Sequence, residues 1–241
     1  MAGAVRIAGE GALRAGAGLV KVLTRPSSLV QVQSGRPELM AVGISESDVE
    51  YVFPELIDWA DVIAIGMGLG NQAWGRRLFE SLIKSDKALL VDADGLKLLA
   101  ENPKQRSNWV LTPHPGEAAE LLGCTNSEVE NDRFQAVAEI QTKFGGVTVL
   151  KGRGTLICDG VKTFLTPVGN PGLATGGSGD LLSGIIAALL AQGLPPVRAA
   201  CCGVCVHGEA ADLAATDGQR GMLTSDMFRY VRQLVNPSLT M

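Results

Sequence analysis

The chain has 241 residues, 46% of them hydrophobic and 19% charged, which suits one large α/β domain over residues 1–241 with an ample core. Its net charge of -4 argues against a nucleic-acid partner, which calls for a basic patch. The N-terminal MAGAVRIAGEGALRAGAG lacks the apolar run of a signal peptide, and the longest apolar stretch, around Leu181 to Leu190, is too short to span a bilayer, so a soluble cytoplasmic protein without a membrane partner is expected.

In chain order, Ala4–Gly16 reads as a helix, with Arg6, Glu10 and Arg14 at helical spacing. Short apolar runs bounded by Gly, Pro or Asp then alternate with amphipathic segments. The strands are Leu19–Leu23, Glu38–Ile44, Val62–Ile65, Ala88–Asp92, Trp109–Thr112 and Val147–Lys151. The helices among them are Ser47–Trp59, Gln72–Lys84, Gly95–Ala100, Gly116–Leu122 and Ser127–Phe144. Repeated βα units imply a mainly parallel sheet flanked by helices on both faces. After Lys151 the pattern changes: Thr155–Cys158 and Lys162–Thr166 flank the turn residues Asp159 and Gly160, an antiparallel hairpin. A Gly-rich loop, Gly169–Gly179, leads into helices Asp180–Gln192, Val197–Ala215 and Ser225–Val235. No linker, low-complexity tract or repeat interrupts this order. A parallel α/β fold normally opens on a buried strand, so the sheet is expected to lack its first strand.

The five cysteines, Cys124, Cys158, Cys201, Cys202 and Cys205, have no framework spacing and read as reduced thiols. Cys202 and Cys205 form a C-x-x-C inside a small-residue helix, which favours packing residues over a redox pair or a zinc site with His207.

The strongest chemical signal is GNPGLATGGSGDLLSG. Gly169, Gly172, Gly176, Gly177 and Gly179 keep side-chain bulk away from a loop that enters a long helix, and a helix N-terminus offers free amides and partial positive charge. That combination binds phosphate. It is neither a Walker loop, lacking Gly-Lys-Ser/Thr, nor a dinucleotide fingerprint, lying after a hairpin. Asp180, in the first helical turn, is either a cap or a base for an attacking hydroxyl; the surrounding glycines favour the base.

In LTPHPGEAAELLG, two prolines hold His114 extended just past a strand end, and Glu117 opens the next helix. Ligands of open parallel sheets bind at such strand ends, although an N-terminal helix signature with a surface His is the plainer reading. In VLKGRGT, Lys151 ends a strand beside Gly152 and Gly154, as a phosphate contact or simply as a lead into the hairpin. IGMGLG follows another strand. In VDADGL, Asp92 and Asp94 read as helix caps rather than metal ligands. His207 reads as a packing residue, with the nucleotide side as its alternative.

Together AGAVRIAGEGALRAGAGLV, RPELM, IGMGLG, VDADGL, LTPHPGEAAELLG, VLKGRGT, GNPGLATGGSGDLLSG and HGEAADLAA, in that order from about Met1 to Pro237, resemble the dehydratase domain of NAD(P)H-hydrate repair enzymes, a branch of the ribokinase-like superfamily. The resemblance implies dehydration of hydrated NADH or NADPH using ADP or ATP with Mg²⁺, through phosphorylation of the C6 hydroxyl and elimination of phosphate. It makes Asp180 the catalytic base and a substrate contact. It assigns the nucleotide to Lys151, Gly152, Arg153, Gly154 and Thr155 and to Asn170, Pro171, Gly172, Leu173, Ala174, Thr175, Gly176, Gly177, Ser178 and Gly179. It assigns the hydrated dinucleotide to Ala4, Gly68, Gly70 and His114, and a water-mediated Mg²⁺ role to Glu117. A homo-oligomer is expected from it. Met67 stands where the family often has proline, and no epimerase activity is expected of this chain. The late G-x-G-D region by itself fits a vitamin-precursor kinase equally well. A nucleotide-binding protein without turnover is the non-enzymatic alternative.

Overall fold

The computed structural model describes residues 2–236; Met1 and residues 237–241, at the outer ends of the expected domain and of the resemblance, lie outside the described residues. In chain order the elements are α1 (Ala2–Arg14), β1 (Val20–Thr24), α2 (Leu29–Gln33), β2 (Leu39–Gly43), α3 (Val49–Trp59), β3 (Val62–Ile65), α4 (Ala73–Leu82), β4 (Ala88–Val91), α5 (Asp94–Glu101) and β5 (Trp109–Leu111). There follow α6 (Pro115–Leu122), α7 (Asn126–Asn131), α8 (Arg133–Phe144), β6 (Val147–Leu150), β7 (Leu156–Cys158), β8 (Thr163–Leu165), α9 (Ser178–Ala191), α10 (Pro196–Ala214) and α11 (Phe228–Leu234).

Six strands form the central sheet in the order β3-β4-β5-β6-β7-β8. The first four are parallel; β7 and β8 return antiparallel, as the Asp159–Gly160 turn implied. Successive side chains of a strand point to opposite faces, and both faces here are covered. Leu89, Val91, Trp109 and Leu111 enter the layer that holds α3 to α8. Leu90, Val110, Val147 and Val149 enter the layer of α9, α10 and α11. Burial on both faces is why these strands read as unbroken apolar runs.

Three expectations change. The first two strands do not join the central sheet: β1 and β2 form a parallel pair of their own. An apolar cavity of about 220 Å³ lies between them and the sheet, lined by Val20–Leu23 on one side and Val62–Ile65 on the other. No strand among the described residues bridges those two edges. The helix expected over Ser127–Phe144 is two, because Asp132 leaves helical geometry (φ -143°, ψ 84°) and caps α8 by accepting the Gln135 N–H at 2.9 Å. The helix expected at Ser225 begins as a 3₁₀ turn, and α11 starts only at Phe228. The short α2, which follows a 3₁₀ turn over Pro26–Ser28, has too few apolar positions to show a period.

All five cysteines are free. Cys158 is buried, but Cys202 and Cys205 are exposed on α10, so the packing role expected of that pair does not hold. Among the described residues no helix is long and apolar enough to cross a membrane.

Candidate active site at the strand ends

The segments after β3, β4, β5 and β6 meet at the carboxyl ends of the parallel strands. Asp92 N–H donates to Ile65 O at 3.0 Å, and Lys151 N–H donates to Pro113 O at 2.8 Å, so neighbouring strand ends are tied pairwise. At Gly66, φ is +124° and a Cβ would overlap the Asp92 carbonyl oxygen; only glycine lets the two turns approach this closely.

The charged centre sits there. Lys151 Nζ lies 2.8 Å from Asp92 Oδ1 and 3.7 Å from Glu117 Oε2. Burial opposes the ammonium charge, but Asp92 and Glu117 outweigh it and hold Lys151 above its usual range. Ser183, on α9, donates its hydroxyl to Asp92 Oδ2 at 2.7 Å. Asp180 stands one turn earlier on α9. Burial, reinforced by the Asp92 charge and opposed by Lys151, pushes its carboxyl up to about 6. A carboxylate poised near 6 is ionised at neutral pH yet more basic than an ordinary aspartate, which suits proton abstraction.

The glycine loop leads directly into α9. Gly177 caps α9 in the left-handed region (φ 88°), which turns the chain into the helix. In the first turn of α9, Ser178 N–H meets Thr175 O at 3.4 Å, while the amides of Gly179 and Asp180 have no intrahelical acceptor. A Cβ on Gly179 would lie 3.4 Å from Lys151 Nζ, so the ammonium sits directly against that first turn. The loop is anchored by residues that the sequence did not single out. Asp212 of α10 accepts the Gly169 N–H and the Asn170 side-chain amide, both at 2.9 Å. Asn170 Oδ1 in turn accepts the Gly172 N–H at 2.9 Å, setting a 3₁₀ turn over Pro171–Leu173. Thr224 donates its hydroxyl to Gly176 O at 2.9 Å. Beneath the loop, His207 Nε2 lies 3.3 Å from Ser178 Oγ; burial pushes its pKa down to about 4, so it is neutral at pH 7. Among the described residues no group of three or more His, Cys, Asp or Glu side chains is arranged to hold a metal ion.

The Lys151–Thr155 turn is also held from outside. Arg133, at the start of α8, donates to the carbonyls of Arg153 (2.5 Å), Leu150 (3.3 Å) and Lys151 (3.4 Å). The Thr155 hydroxyl closes the turn on Gly152 O at 3.2 Å. This pinning was invisible in the sequence, since Arg133 looks like any helix-surface cation.

His114 does more than sit at a strand end. It is the N-cap of α6: its Nδ1 accepts the N–H of Gly116 (3.0 Å) and Glu117 (3.3 Å), while Glu117 Oε2 accepts the His114 N–H (2.8 Å). With Nδ1 accepting, a neutral ring carries its proton on Nε2, which lies 3.5 Å from Glu117 Oε1. Glu117 is buried, and its carboxylate is shared between this capping box and Lys151.

On the remaining side, Gly68 and Gly70 line a second cavity of about 320 Å³ together with Leu23, Thr24, Arg25 and Asn71. Gly70 N–H donates to Asp94 Oδ2 at 2.8 Å, so Asp94 holds the glycine turn. Neither Asp92 nor Asp94 caps α5, whose start carries no side-chain cap, contrary to the sequence reading. Ala4 is in the first turn of α1, its methyl buried against Met67 and Ala8, so only its backbone can meet a ligand. Met67 is itself buried there.

The parallel sheet with a late antiparallel hairpin, and the glycine loop opening α9 at its strand ends, define a ribokinase-like α/β protein. The family model for NAD(P)H-hydrate dehydratase matches residues 1–233, and the chain belongs to that family. It is 49% identical over 241 residues to the bifunctional NAD(P)H-hydrate repair enzyme Nnr of Escherichia coli, covering 99% of this chain and 46% of that protein. The chain thus spans about half the length of that bifunctional relative. It is 37% identical over 246 residues to the ADP-dependent (S)-NAD(P)H-hydrate dehydratase of Neisseria meningitidis, covering 98% of this chain and 81% of the relative. The crystal structure of the ADP/ATP-dependent NAD(P)H-hydrate dehydratase of Bacillus subtilis, grown with ATP and Mg²⁺ and soaked with CoA, superposes with a TM-score of 0.85 at 27% identity, over 97% of this chain and 86% of that one.

Proposed function

We propose that this chain dehydrates hydrated NADH and NADPH at the expense of ADP or ATP. The observation that carries the reading is Asp180: a carboxylate raised to about 6, in the first turn of a helix that a glycine loop opens, with the part-buried Lys151 nearby. A phosphoryl acceptor's hydroxyl and a phosphate donor can meet there.

Asp180 takes the proton of the C6 hydroxyl as its oxygen attacks the terminal phosphoryl group, whose bond to the nucleotide breaks to release AMP from ADP or ADP from ATP. The first-turn amides of α9 and Lys151 offset the charge that gathers on the transferring group. The C–O bond of the resulting ester then breaks, driven by the ring-nitrogen lone pair, and phosphate leaves; loss of a C5 proton restores the ring double bond. The nucleotide phosphates would lie along Asn170–Gly179, with Lys151–Thr155 also contacting the nucleotide and Arg153 exposed at the rim. The hydrated ring is met by His114 Nε2–H, by the glycine turn at Gly68 and Gly70, and by the Ala4 backbone.

Mg²⁺ fits this donor set only as a guest of the phosphates. Asp92 and Glu117 are engaged with Lys151 and with the His114 cap, so Glu117 would reach the ion through water. The ion would supply charge neutralisation on the phosphate oxygens. We further infer that the enzyme works in the cytoplasm and, as the resemblance implies, as a homo-oligomer.

The test is the absorbance of reduced nicotinamide after mixing the protein with hydrated NADPH, Mg²⁺ and either ADP or ATP. A nucleotide-dependent rise is the expected result, and comparing the two nucleotides gives the preference. A stable phosphorylated product with no rise would identify a small-molecule kinase. Nucleotide binding with neither outcome would identify a binding protein without turnover.

A further inference from the structure

Asp92 has no part in the assignments above, yet more of the site converges on it than on any loop glycine. Its carboxylate is buried at the end of β4. One oxygen accepts Lys151 Nζ at 2.8 Å and the other accepts Ser183 Oγ at 2.7 Å. Lys151 comes from the end of β6 and Ser183 from α9, so one side chain ties two strand ends to the helix that opens the phosphate loop. The backbone around it is specialised too. Ala93, the next residue, is the one non-glycine with positive φ (48°) among the described residues. Gly66 is packed onto the Asp92 carbonyl, and a Cβ on Gly179 would lie 3.8 Å from Oδ2. Residues held in sparsely populated backbone conformations persist where the surroundings over-determine them, and such places cluster at functional sites.

An ion pair to a buried carboxylate is a poor stability device, because desolvation of the charges offsets their attraction. Its use here is geometric. An ammonium on a four-carbon stem has many rotamers and no intrinsic direction. Two acceptors fix it: Asp92 at contact distance and Glu117 at 3.7 Å. Of these, Glu117 is already committed to the α6 cap, which leaves Asp92 as the group that sets where Nζ points.

We propose that Asp92 is a positioning residue of the reaction, acting through Lys151 by holding its ammonium against the first turn of α9, where the phosphoryl group is transferred. The proposal rests on the function argued above. Positioning matters most where charge develops, so loss of Asp92 lowers kcat while the nucleotide KM changes little.

The experiment is a double-mutant cycle of Asp92→Asn and Lys151→Met, reading kcat and KM separately, with thermal stability and direct ADP binding measured on each protein. Asparagine keeps the size of Asp92, and the Ser183 hydroxyl can turn to accept instead of donate. Asp92→Asn should cut kcat at least ten-fold with the nucleotide KM within about three-fold, and should cost less than about three-fold more once Lys151 is Met. Ser183→Ala, which removes the other tether without touching Lys151, should lower kcat far less than Asp92→Asn. Losses that multiply in full would overturn the proposal, as would an Asp92→Asn enzyme that keeps kcat within three-fold. A general fall in stability that tracks the fall in kcat across the set would make Asp92 a purely structural residue and also defeat it. An unmutated chain that binds ADP but turns over no hydrate would count against the function itself. In that case the position of Lys151 is read by ¹³C relaxation of its Cε: a methylene ordered in the unmutated chain and mobile after Asp92→Asn upholds the tether, and unchanged order rejects it.

Discussion

Asp212 and Asn170 are joined across 42 residues of sequence by a 2.9 Å side-chain hydrogen bond, and the second carboxylate oxygen of Asp212 takes the neighbouring Gly169 amide at the same distance. The rim of the glycine loop is therefore hung from α10 by one carboxylate. Charge-assisted bonds of this kind each contribute about 1.5–3 kcal/mol. Asp212→Ala should weaken nucleotide binding by about ten-fold or more, through a loop no longer held in its binding shape, and leave kcat at saturating nucleotide within a few-fold. Calorimetric titration with ADP beside steady-state kinetics checks both halves. Unchanged affinity would mean that the loop holds its shape without α10.

Asp180 carries opposite consequences for activity and stability. Its carboxyl is raised from 3.8 in the unfolded chain to about 6, so the folded protein favours the protonated form. The fold is stabilised by this group below pH 3.8 and loses that contribution as pH rises through 6. Since Asp180 is only part-buried, screening reduces the cost of the ionised form at neutral pH to roughly 1–2 kcal/mol. Asp180→Asn should abolish turnover to within about 1% of the original rate, and yet raise the urea midpoint at pH 7. The gain should vanish near pH 4, where the original side chain is protonated. In the unmutated enzyme, kcat/KM should rise with pH through about 6. An Asp180→Asn protein that retains turnover within a few-fold removes Asp180 from the chemistry.

His207 pushes in the other direction. Its pKa falls from 6.5 to about 4 on folding, because burial beside Ser178 penalises the imidazolium. Its contribution to stability is complete above pH 6.5 and is lost as pH falls through 4, on the order of 3 kcal/mol in all. His207→Gln, which can still meet the Ser178 hydroxyl, should flatten the loss of stability between pH 6.5 and 4. Denaturant midpoints across that range decide it: equal slopes for the two proteins would mean that His207 is not the acid-sensitive group.

What the sequence could and could not disclose follows from how far apart the partners are. The central strands were legible because β4, β5 and β6 are buried on both faces and read as apolar runs, and the hairpin because Asp159 and Gly160 mark its turn. The glycine loop that opens α9 was legible from its own glycines. Whether β1 and β2 would join the central sheet is a question of long-range pairing, about which a strand's composition says nothing. Asp92 looked like a helix cap because the local pattern VDADGL suits one, while its true partner Lys151 is 59 residues away. Arg133 and Asp212 carry no local mark at all; each looks like a solvated helix residue until the fold sets it against a loop.

Two adjacent glycines separate the folding demand of the loop from its binding demand. Gly177 has φ +88°, and a Cβ there would meet Ile7 Cδ1 at 2.5 Å. Gly176 has no heavy atom within 4 Å of its would-be Cβ and a backbone that other residues can adopt. Gly177→Ala should thus destabilise the fold by about 1–3 kcal/mol, from backbone strain and from the displaced Ile7 side chain. Gly176→Ala should leave stability within about 0.5 kcal/mol and even favour the fold slightly, since alanine narrows the unfolded ensemble. The open space beside Gly176 is, however, where a phosphate must approach the backbone, and a methyl group there keeps it at a distance. Gly176→Ala should therefore raise the Kd for ADP by at least ten-fold in a protein as stable as the original. Thermal melts taken with and without ADP distinguish the two substitutions: a lowered melt whose ADP shift is retained for Gly177→Ala, an unchanged melt whose ADP shift is lost for Gly176→Ala. If Gly176→Ala binds ADP normally, the nucleotide phosphates do not pass over this part of the loop.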